Sequence, residues 1–148
     1  MKKDELLRNV ALFSGLDFKY LKVLAPSCHE KKLKKGELML EQGQEGVGLL
    51  VIVSGKVKVV KRTADGGEID IATHGPGEFI GEMAVLDGAP RSASVVAVED
   101  TEGLFLSSWA FTAALKNHPE IALAILPVVV KRFRETNEKL LQLQGTQS

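Results

Sequence analysis

The chain has 148 residues and a formal net charge of zero, with 19 Lys or Arg and 19 Asp or Glu. This length fits one domain with a packed core, which we expect to span residues 1–148. The charge balance argues against a domain that grips nucleic acid, and the single cysteine excludes an internal disulfide. Without an apolar run of transmembrane length or a signal-peptide core, we expect a cytoplasmic protein that does not bind membranes.

Two short helices are predicted at the N-terminus. Apolar residues at helical spacing within residues 3–12 predict an amphipathic helix. Asp17 can cap a second helix, which Pro26 ends near Leu24.

From His29 to Leu106 the pattern is that of β-structure, because short apolar runs alternate with Gly-rich turns. Such spacing is typical of a compact antiparallel barrel or jelly roll. Asp65-Gly66-Gly67 predicts a hairpin, and the glycines at 43, 46 and 48 predict another tight connection. The basic run at 29–35 is best explained as the solvated face of an edge strand. The predicted strands are residues 38–40, 49–53, 57–60, 69–72, 95–98 and 104–106.

Helical signals return after the last strand. Ser107 or Ser108 can cap a helix to about Lys116, with Trp109 in its first turn expected to pack in the core. Pro119 suits the first turn of a further helix.

The final helix is expected to cover residues 120–144, with a frayed tail at 145–148. Pro127 lies inside it and should kink it or divide it in two. The predicted fold is therefore α+β and mainly β: an antiparallel β-roll or jelly roll with short N-terminal helices and a long C-terminal helix.

An apolar seam follows this helix at spacings of 4, 3, 4, 3 and 4 residues. This a/d pattern predicts pairing in a homodimer, and the Asn at an a-type position can fix a parallel register. The seam consists of Leu126, Val130, Phe133, Asn137, Leu140 and Gln144.

The stretch from residue 77 to 95 carries the chemistry. Gly81 lets the backbone approach a ligand, and the following amides of Glu82, Met83 and Ala84 open a helical turn, where free N–H groups bind anions. Arg91 can hold two phosphate oxygens in a planar fork. The neighbouring Ser92 can donate to the same phosphate, and the carboxylate of Glu82 can accept from a sugar hydroxyl. These parts make a site for one phosphate attached to one ribose.

The pattern Phe-x-Gly-Glu-x-Ala-x-Leu at 79–86, followed by Pro-Arg-Ser-Ala-x-Val at 90–95, resembles the phosphate-binding cassette of the cyclic nucleotide-binding domain family. The resemblance implies that Arg91 binds the cyclic phosphate and Glu82 the ribose 2′-hydroxyl. It also implies that Val85 and Leu86 link the cassette to the final helix.

The segment 131–139 resembles the dimer helix of the bacterial catabolite activators in this family. By that resemblance Thr136 contacts the purine and Asn137 contacts it from the partner subunit, although Asn replaces the usual Ser. Within the family that the sequence resembles, a Thr after the cassette Arg favours cGMP and an Ala favours cAMP. Ser92 falls between the two, as in the bacterial activators that use cAMP. The resemblance thus implies a sensor that favours cAMP over cGMP and moves its last helix.

Three alternative functions compete with this hypothesis. A domain of this fold could act as a structural or interaction module without nucleotide, although Glu82, Arg91 and Ser92 are intact. Transcription factors of the family carry a helix-turn-helix after the long helix, and the sequence up to Ser148 has no room for one. We therefore expect no direct DNA binding by this chain and an output through an unidentified protein. The alternative is a sensor excised from a longer transcription regulator. An enzyme is not expected, because no metal cluster or paired base and nucleophile is visible.

Overall fold

The structure is a computed structural model that describes residues 2–40, 48–81 and 93–147. In these ranges two antiparallel four-stranded sheets face each other, with helices at both ends of the chain. The predicted fold class is confirmed. The strands are β1 (Cys28–Leu33), β2 (Leu38–Leu40), β3 (Gly48–Ser54), β4 (Val57–Arg62), β5 (Glu68–His74), β6 (Phe79–Ile80), β7 (Ser94–Ala97) and β8 (Thr101–Ser107).

The N-terminal region folds into α1 (Lys3–Arg8), a short 3₁₀ helix (Ala11–Phe13) and α2 (Phe18–Leu24). The first helix is shorter than the predicted 3–12, because the chain turns at Asn9 to bury the apolar residues that follow. Asp17 caps α2 as predicted, and its carboxylate accepts from the Lys19 amide at 3.1 Å.

The first sheet has the strand order β1-β8-β3-β6. Strand β1 is an edge strand whose four central residues are exposed, which confirms the prediction for the basic run. Cys28 is buried and His29 exposed, so the two side chains point to opposite faces and do not form a reactive pair.

The second sheet has the order β2-β7-β4-β5. Its β4–β5 hairpin turns at the predicted Asp-Gly-Gly, where Gly66 has a φ of +88° that disfavours a side chain. The Thr63 amide donates to the Gly67 carbonyl across the turn at 2.9 Å. The connection predicted from Gly43 and Gly46 lies outside the described residues.

Two apolar clusters hold these layers together. The larger cluster packs one face of the first sheet against the helices, with Phe13, Phe111 and Ile121 among its buried members. The smaller one lies between the two sheets and joins Leu50 and Ile52 to residues of the second sheet. Burial of this apolar surface is the main force that holds the roll closed.

Helix α3 (Ser108–Asn117) begins with the predicted cap, since the Ser107 hydroxyl accepts from the Ala110 amide at 3.1 Å. The prediction for Trp109 is wrong: its side chain is 82% exposed. Phe111 is the buried residue of this helix, and two positions correspond to about 200° of rotation, so Trp109 faces the opposite side.

Helix α4 (Pro119–Gln147) begins at the predicted proline and is continuous for 29 residues. Pro127 therefore does not divide it, although it removes one backbone donor to the carbonyl of Leu123. Residues 145–147, predicted to fray, are helical. Leu123 and Leu126 are exposed, which leaves water free to bind the carbonyl that lost its donor.

Within the described ranges, no single helix has both the length and the apolar character needed to cross a bilayer. Among the residues that the structure describes, the pair of α3 and α4, taken together up to Leu143 across a bend of 116°, has the length and composition of a span.

Candidate functional site

Gly81 directly follows strand β6 and has a left-handed conformation, with a φ of +97°. A residue with a Cβ would be strained in this conformation, so the backbone at position 81 favours a glycine. Strand β6 belongs to the first sheet, and the next strand of the described residues, β7, belongs to the second sheet. The predicted site residues Glu82, Met83, Ala84, Arg91 and Ser92, and the linking residues Val85 and Leu86, lie outside the described residues.

The approach to Gly81 is fixed by backbone hydrogen bonds on two sides. The Gly77 amide donates to the Ile52 carbonyl at 2.9 Å, and the Ile52 amide donates to the Glu78 carbonyl at 3.0 Å. On the other side, the Ala11 amide donates to the Gly77 carbonyl at 3.0 Å. The strand that leads into the candidate site is therefore held both to β3 and to the N-terminal helices.

A side-chain pair tightens the same turn. The Glu78 carboxylate accepts from the Gly75 amide at 2.7 Å and lies 3.0 Å from Nδ1 of His74. His74 is the last residue of strand β5, so its contact with Glu78 joins the end of that strand to the turn.

Arg132 reaches this region from α4. Its guanidinium carbon lies 4.6 Å from the centroid of the Phe79 ring, and its Nη1 donates to the Phe79 carbonyl at 3.1 Å. Sequence reasoning did not single out this arginine, because the two residues are 53 positions apart. One signal could have found it: Arg132 precedes Thr136 by four residues and therefore shares its helix face.

Thr136 and Asn137 are both exposed on α4. The Thr136 hydroxyl donates to the backbone carbonyl of Arg132 at 3.0 Å. The structure thereby brings Thr136 and Arg132 together. Asn137 lies among exposed apolar residues of the predicted seam, which include Phe133 and Leu140.

The pKa values of Cys28 and Asp65 are shifted by their structural surroundings. Burial raises the pKa of the Cys28 thiol to about 11, against a smaller lowering by the charge of Lys3. Hydrogen bonds from the Thr63 hydroxyl and the Gly67 amide lower the pKa of Asp65 in the β4–β5 turn. Neither group is poised for catalysis, and the described ranges hold no cluster of three or more His, Cys, Asp or Glu that could bind a metal.

These geometric features agree with the comparisons to known proteins. The sequence model of the family "Cyclic nucleotide-binding domain" matches residues 30–118. The chain belongs to the cyclic nucleotide-binding domain family. Domains of this family bind and do not catalyse, so the prediction of a non-enzymatic domain is confirmed for these residues.

Two bacterial relatives are similar over most of the chain. The Cyclic AMP receptor protein of Thermus thermophilus is 34% identical over 134 residues, which are 90% of this chain and 62% of the relative. The CRP-like cAMP-activated global transcriptional regulator of Mycobacterium tuberculosis is 29% identical over 140 residues, 95% of this chain and 62% of the relative. The chain thus spans about three fifths of the length of these curated relatives.

Solved structures show the same architecture. The N-terminal domain of a transcriptional regulator from Streptomyces coelicolor superimposes with a TM-score of 0.76 at 35% identity, covering 91% of this chain and 94% of that one. The Thermus thermophilus Catabolite Activator Protein gives a TM-score of 0.79 at 34% identity, covering 90% and 63%. The predicted resemblance to the effector domains of catabolite activators is confirmed.

Proposed function

We propose that this chain is a sensor whose site holds one cyclic nucleotide between residue 81 and residue 92. The cyclic phosphate binds the backbone amides of residues 81–84 together with Arg91 and Ser92, and the Glu82 carboxylate binds the ribose 2′-hydroxyl. The observation that carries this proposal is the left-handed Gly81 at the end of a buried strand, directly before Glu82.

Two observations favour cAMP over cGMP. The Thr136 hydroxyl donates its proton to the Arg132 carbonyl and is left as an acceptor. Adenine offers an amine donor at the position where guanine offers a carbonyl acceptor, so this rotamer suits adenine. The similar proteins from Thermus thermophilus and Mycobacterium tuberculosis carry cAMP in their names, and the regulatory domain of Toxoplasma gondii PKA, 32% identical with a TM-score of 0.71, was solved with cAMP.

The α4 helix supplies the proposed homodimer interface. Its seam residues Leu126, Val130, Phe133 and Leu140 are all large, apolar and about half exposed or more. A contiguous exposed apolar stripe of this kind is typical of an interaction surface. Asn137 lies on the same seam, where pairing with its twin would set a parallel register and place its amide near the partner's purine.

Ligand binding is proposed to change the position of α4 relative to the roll. A ligand shifts such an equilibrium only through contacts that differ between the two states. In one of the two states the purine contacts Thr136 while the phosphate contacts the cassette. These two contacts, made together in that state only, supply the difference. An unidentified output protein and a cytoplasmic location belong to the same proposal.

A second candidate is a domain of this fold that needs no nucleotide. The regulatory subunit of a cAMP-independent protein kinase A from Trypanosoma brucei has a TM-score of 0.79 at 26% identity, so this architecture also occurs in a protein described as cAMP-independent. Because the chain covers about three fifths of its bacterial relatives, a role as the sensor segment of a longer transcription regulator is also compatible with the comparisons.

A thermal-shift titration separates these candidates. At a hundredfold excess over its dissociation constant, a ligand stabilises the folded state by about 2.7 kcal/mol, which corresponds to roughly 5–10 °C for a domain of this size. We expect that shift with cAMP, a smaller one with cGMP and none with 5′-AMP or inorganic phosphate. Absence of a shift with both cyclic nucleotides would favour the nucleotide-independent domain.

A further inference from the structure

The β4–β5 hairpin closes on a short loop whose ends are joined by two backbone hydrogen bonds. The Gly66 amide donates to the Thr63 carbonyl at 3.1 Å, and the Thr63 amide donates to the Gly67 carbonyl at 2.9 Å. Gly66 has the left-handed φ of +88°. This combination is a type I turn followed by a left-handed residue that forms a bulge, which is a common way to join two antiparallel strands.

The side chains of this turn add a second set of hydrogen bonds. The Thr63 hydroxyl donates to Oδ1 of Asp65, and the Gly67 amide donates to the same oxygen at 3.2 Å. A Cβ at position 67 would lie 3.1 Å from Oγ1 of Thr63 and 3.4 Å from Oδ1 of Asp65, so a glycine leaves room for this pair. The Thr63 hydroxyl, and after it the Gly67 amide, lower the pKa of the Asp65 carboxyl.

Asp65 and Gly66 form the dipeptide that rearranges most readily in proteins, because a glycine leaves its own nitrogen unshielded. The Gly66 nitrogen attacks Cγ of Asp65, and the amide proton and the carboxyl hydroxyl leave as one water, which gives a five-membered succinimide. Water then opens the ring at either carbonyl and returns aspartate or isoaspartate. The net change is an isomerisation that needs no oxidant or cofactor, and Asp65 is exposed to the water that the second step uses.

Three features of the turn oppose this attack. The Asp65 carboxyl group is held through Oδ1 by two donors, which restricts its rotation toward the Gly66 nitrogen. The proton on that nitrogen is engaged by the Thr63 carbonyl. The lowered pKa keeps the Asp65 carboxyl ionised, and a carboxylate is a poorer electrophile than a carboxylic acid. The folded turn therefore opposes a reaction that its sequence favours.

We propose that Asp65 is the isoaspartate-forming site of the β4–β5 hairpin and that the Thr63 hydroxyl protects it. Without that hydroxyl, the carboxyl group rotates more freely onto the Gly66 nitrogen. Isoaspartate places an extra carbon in the backbone of the turn and so disturbs the spacing on which the two backbone hydrogen bonds depend. Among the residues that the structure describes, β5 pairs with β4 alone, so damage to this turn loosens the edge of the second sheet.

Ageing of the folded chain at neutral pH, followed by electron-transfer mass spectrometry, tests this proposal, because such fragmentation distinguishes isoaspartate from aspartate at a given position. The test variant is Thr63→Val, which keeps the shape of the side chain and loses the hydroxyl. Thr63→Ser keeps the hydroxyl, and Thr73→Val makes the matched change at an exposed position of β5. The wild-type chain unfolded in urea gives the rate for an Asp-Gly that no turn protects.

Isoaspartate at position 65 should form at least about tenfold more slowly in the folded wild type than in the urea-unfolded chain. Thr63→Val should speed its formation about fivefold, as expected for the loss of one hydrogen bond, whereas Thr63→Ser and Thr73→Val should stay within about twofold of the wild type. In aged Thr63→Val, hydrogen exchange of the β5 amides should be faster than in the fresh protein, because local opening becomes easier.

Equal isoaspartate formation in Thr63→Val and the wild type would overturn the inference. Formation in the folded wild type as fast as in urea would do the same, since the turn then gives no protection. An increase in Thr63→Ser as large as that in Thr63→Val would assign the effect to a looser turn instead of the hydroxyl, and would also contradict the proposal.

Discussion

The hydroxyl of Thr136 donates to the backbone carbonyl of Arg132, one turn earlier in α4, over a distance of 3.0 Å. This bond leaves the oxygen as an acceptor that suits the adenine amine. Thr136→Val keeps the shape and removes the hydroxyl, so cAMP affinity should fall about fivefold, or ~1 kcal/mol, while cGMP affinity changes less than twofold. Calorimetric titration of both nucleotides measures this, with Thr112→Val on an exposed position of α3 as the control. An equal loss for both nucleotides would refute the selectivity role.

Arg91 is proposed to hold the cyclic phosphate. Arg91→Ala removes a charge-assisted fork and should weaken cAMP binding by at least ~2 kcal/mol, about thirtyfold. Arg134→Ala, which removes an exposed arginine of α4, should leave the affinity unchanged. Wild-type affinity in Arg91→Ala would disprove the phosphate assignment.

Asn137 lies on the exposed apolar seam of α4. In the proposed parallel dimer, Asn137→Asp places two like charges across the interface, which should raise the dimer dissociation constant at least fivefold at low salt. Sedimentation equilibrium measures the change, and high salt should relieve part of it by screening. If the sedimentation profile is the same as that of the wild type, Asn137 does not face its twin.

Trp109 and Phe111 lie two positions apart on α3 but differ in burial, with 82% and 1% exposure. Trp109→Ala should therefore change the free energy of unfolding by less than ~0.5 kcal/mol, whereas Phe111→Ala should cost about 3–5 kcal/mol. Urea denaturation of both variants provides the comparison. A large loss in Trp109→Ala would mean that the ring is covered in solution.

Cys28 should make the protein less stable at alkaline pH. Its pKa is raised from 9.0 to about 11 by burial, so the unfolded chain loses this proton first. The associated stability is complete below pH 9 and is lost as pH rises toward 11. Cys28→Ala removes this contribution, so its unfolding free energy should fall less than that of the wild type between pH 9 and 11. If the unfolding free energies of the two proteins fall in parallel over this pH range, the pKa of the Cys28 thiol is not raised by burial.

Local signals in the sequence were sufficient for much of the fold. The caps at Asp17 and Ser107 and the turn at Gly66 were predicted correctly, because each depends on a few adjacent residues. Local signals did not predict which side of α3 faces the core. Trp109 is exposed because Phe111 occupies the core face, and tertiary packing decides between the two faces.

The same distinction between local signals and tertiary packing holds for the candidate site. A glycine at position 81 was singled out from a local pattern, and the structure adds its left-handed conformation, whereas Arg132 was missed because its partner Phe79 lies 53 residues away. The roles of Glu82, Arg91 and Ser92 stay predictions that rest on the sequence pattern.

Isothermal titration calorimetry of the wild-type chain with cAMP and with cGMP tests the central claim most directly. We expect saturable binding of one nucleotide per chain at micromolar concentrations or below, with cAMP bound more tightly than cGMP. Absence of binding heat with either nucleotide, together with no displacement of a fluorescent cyclic nucleotide, would contradict the proposed sensor function.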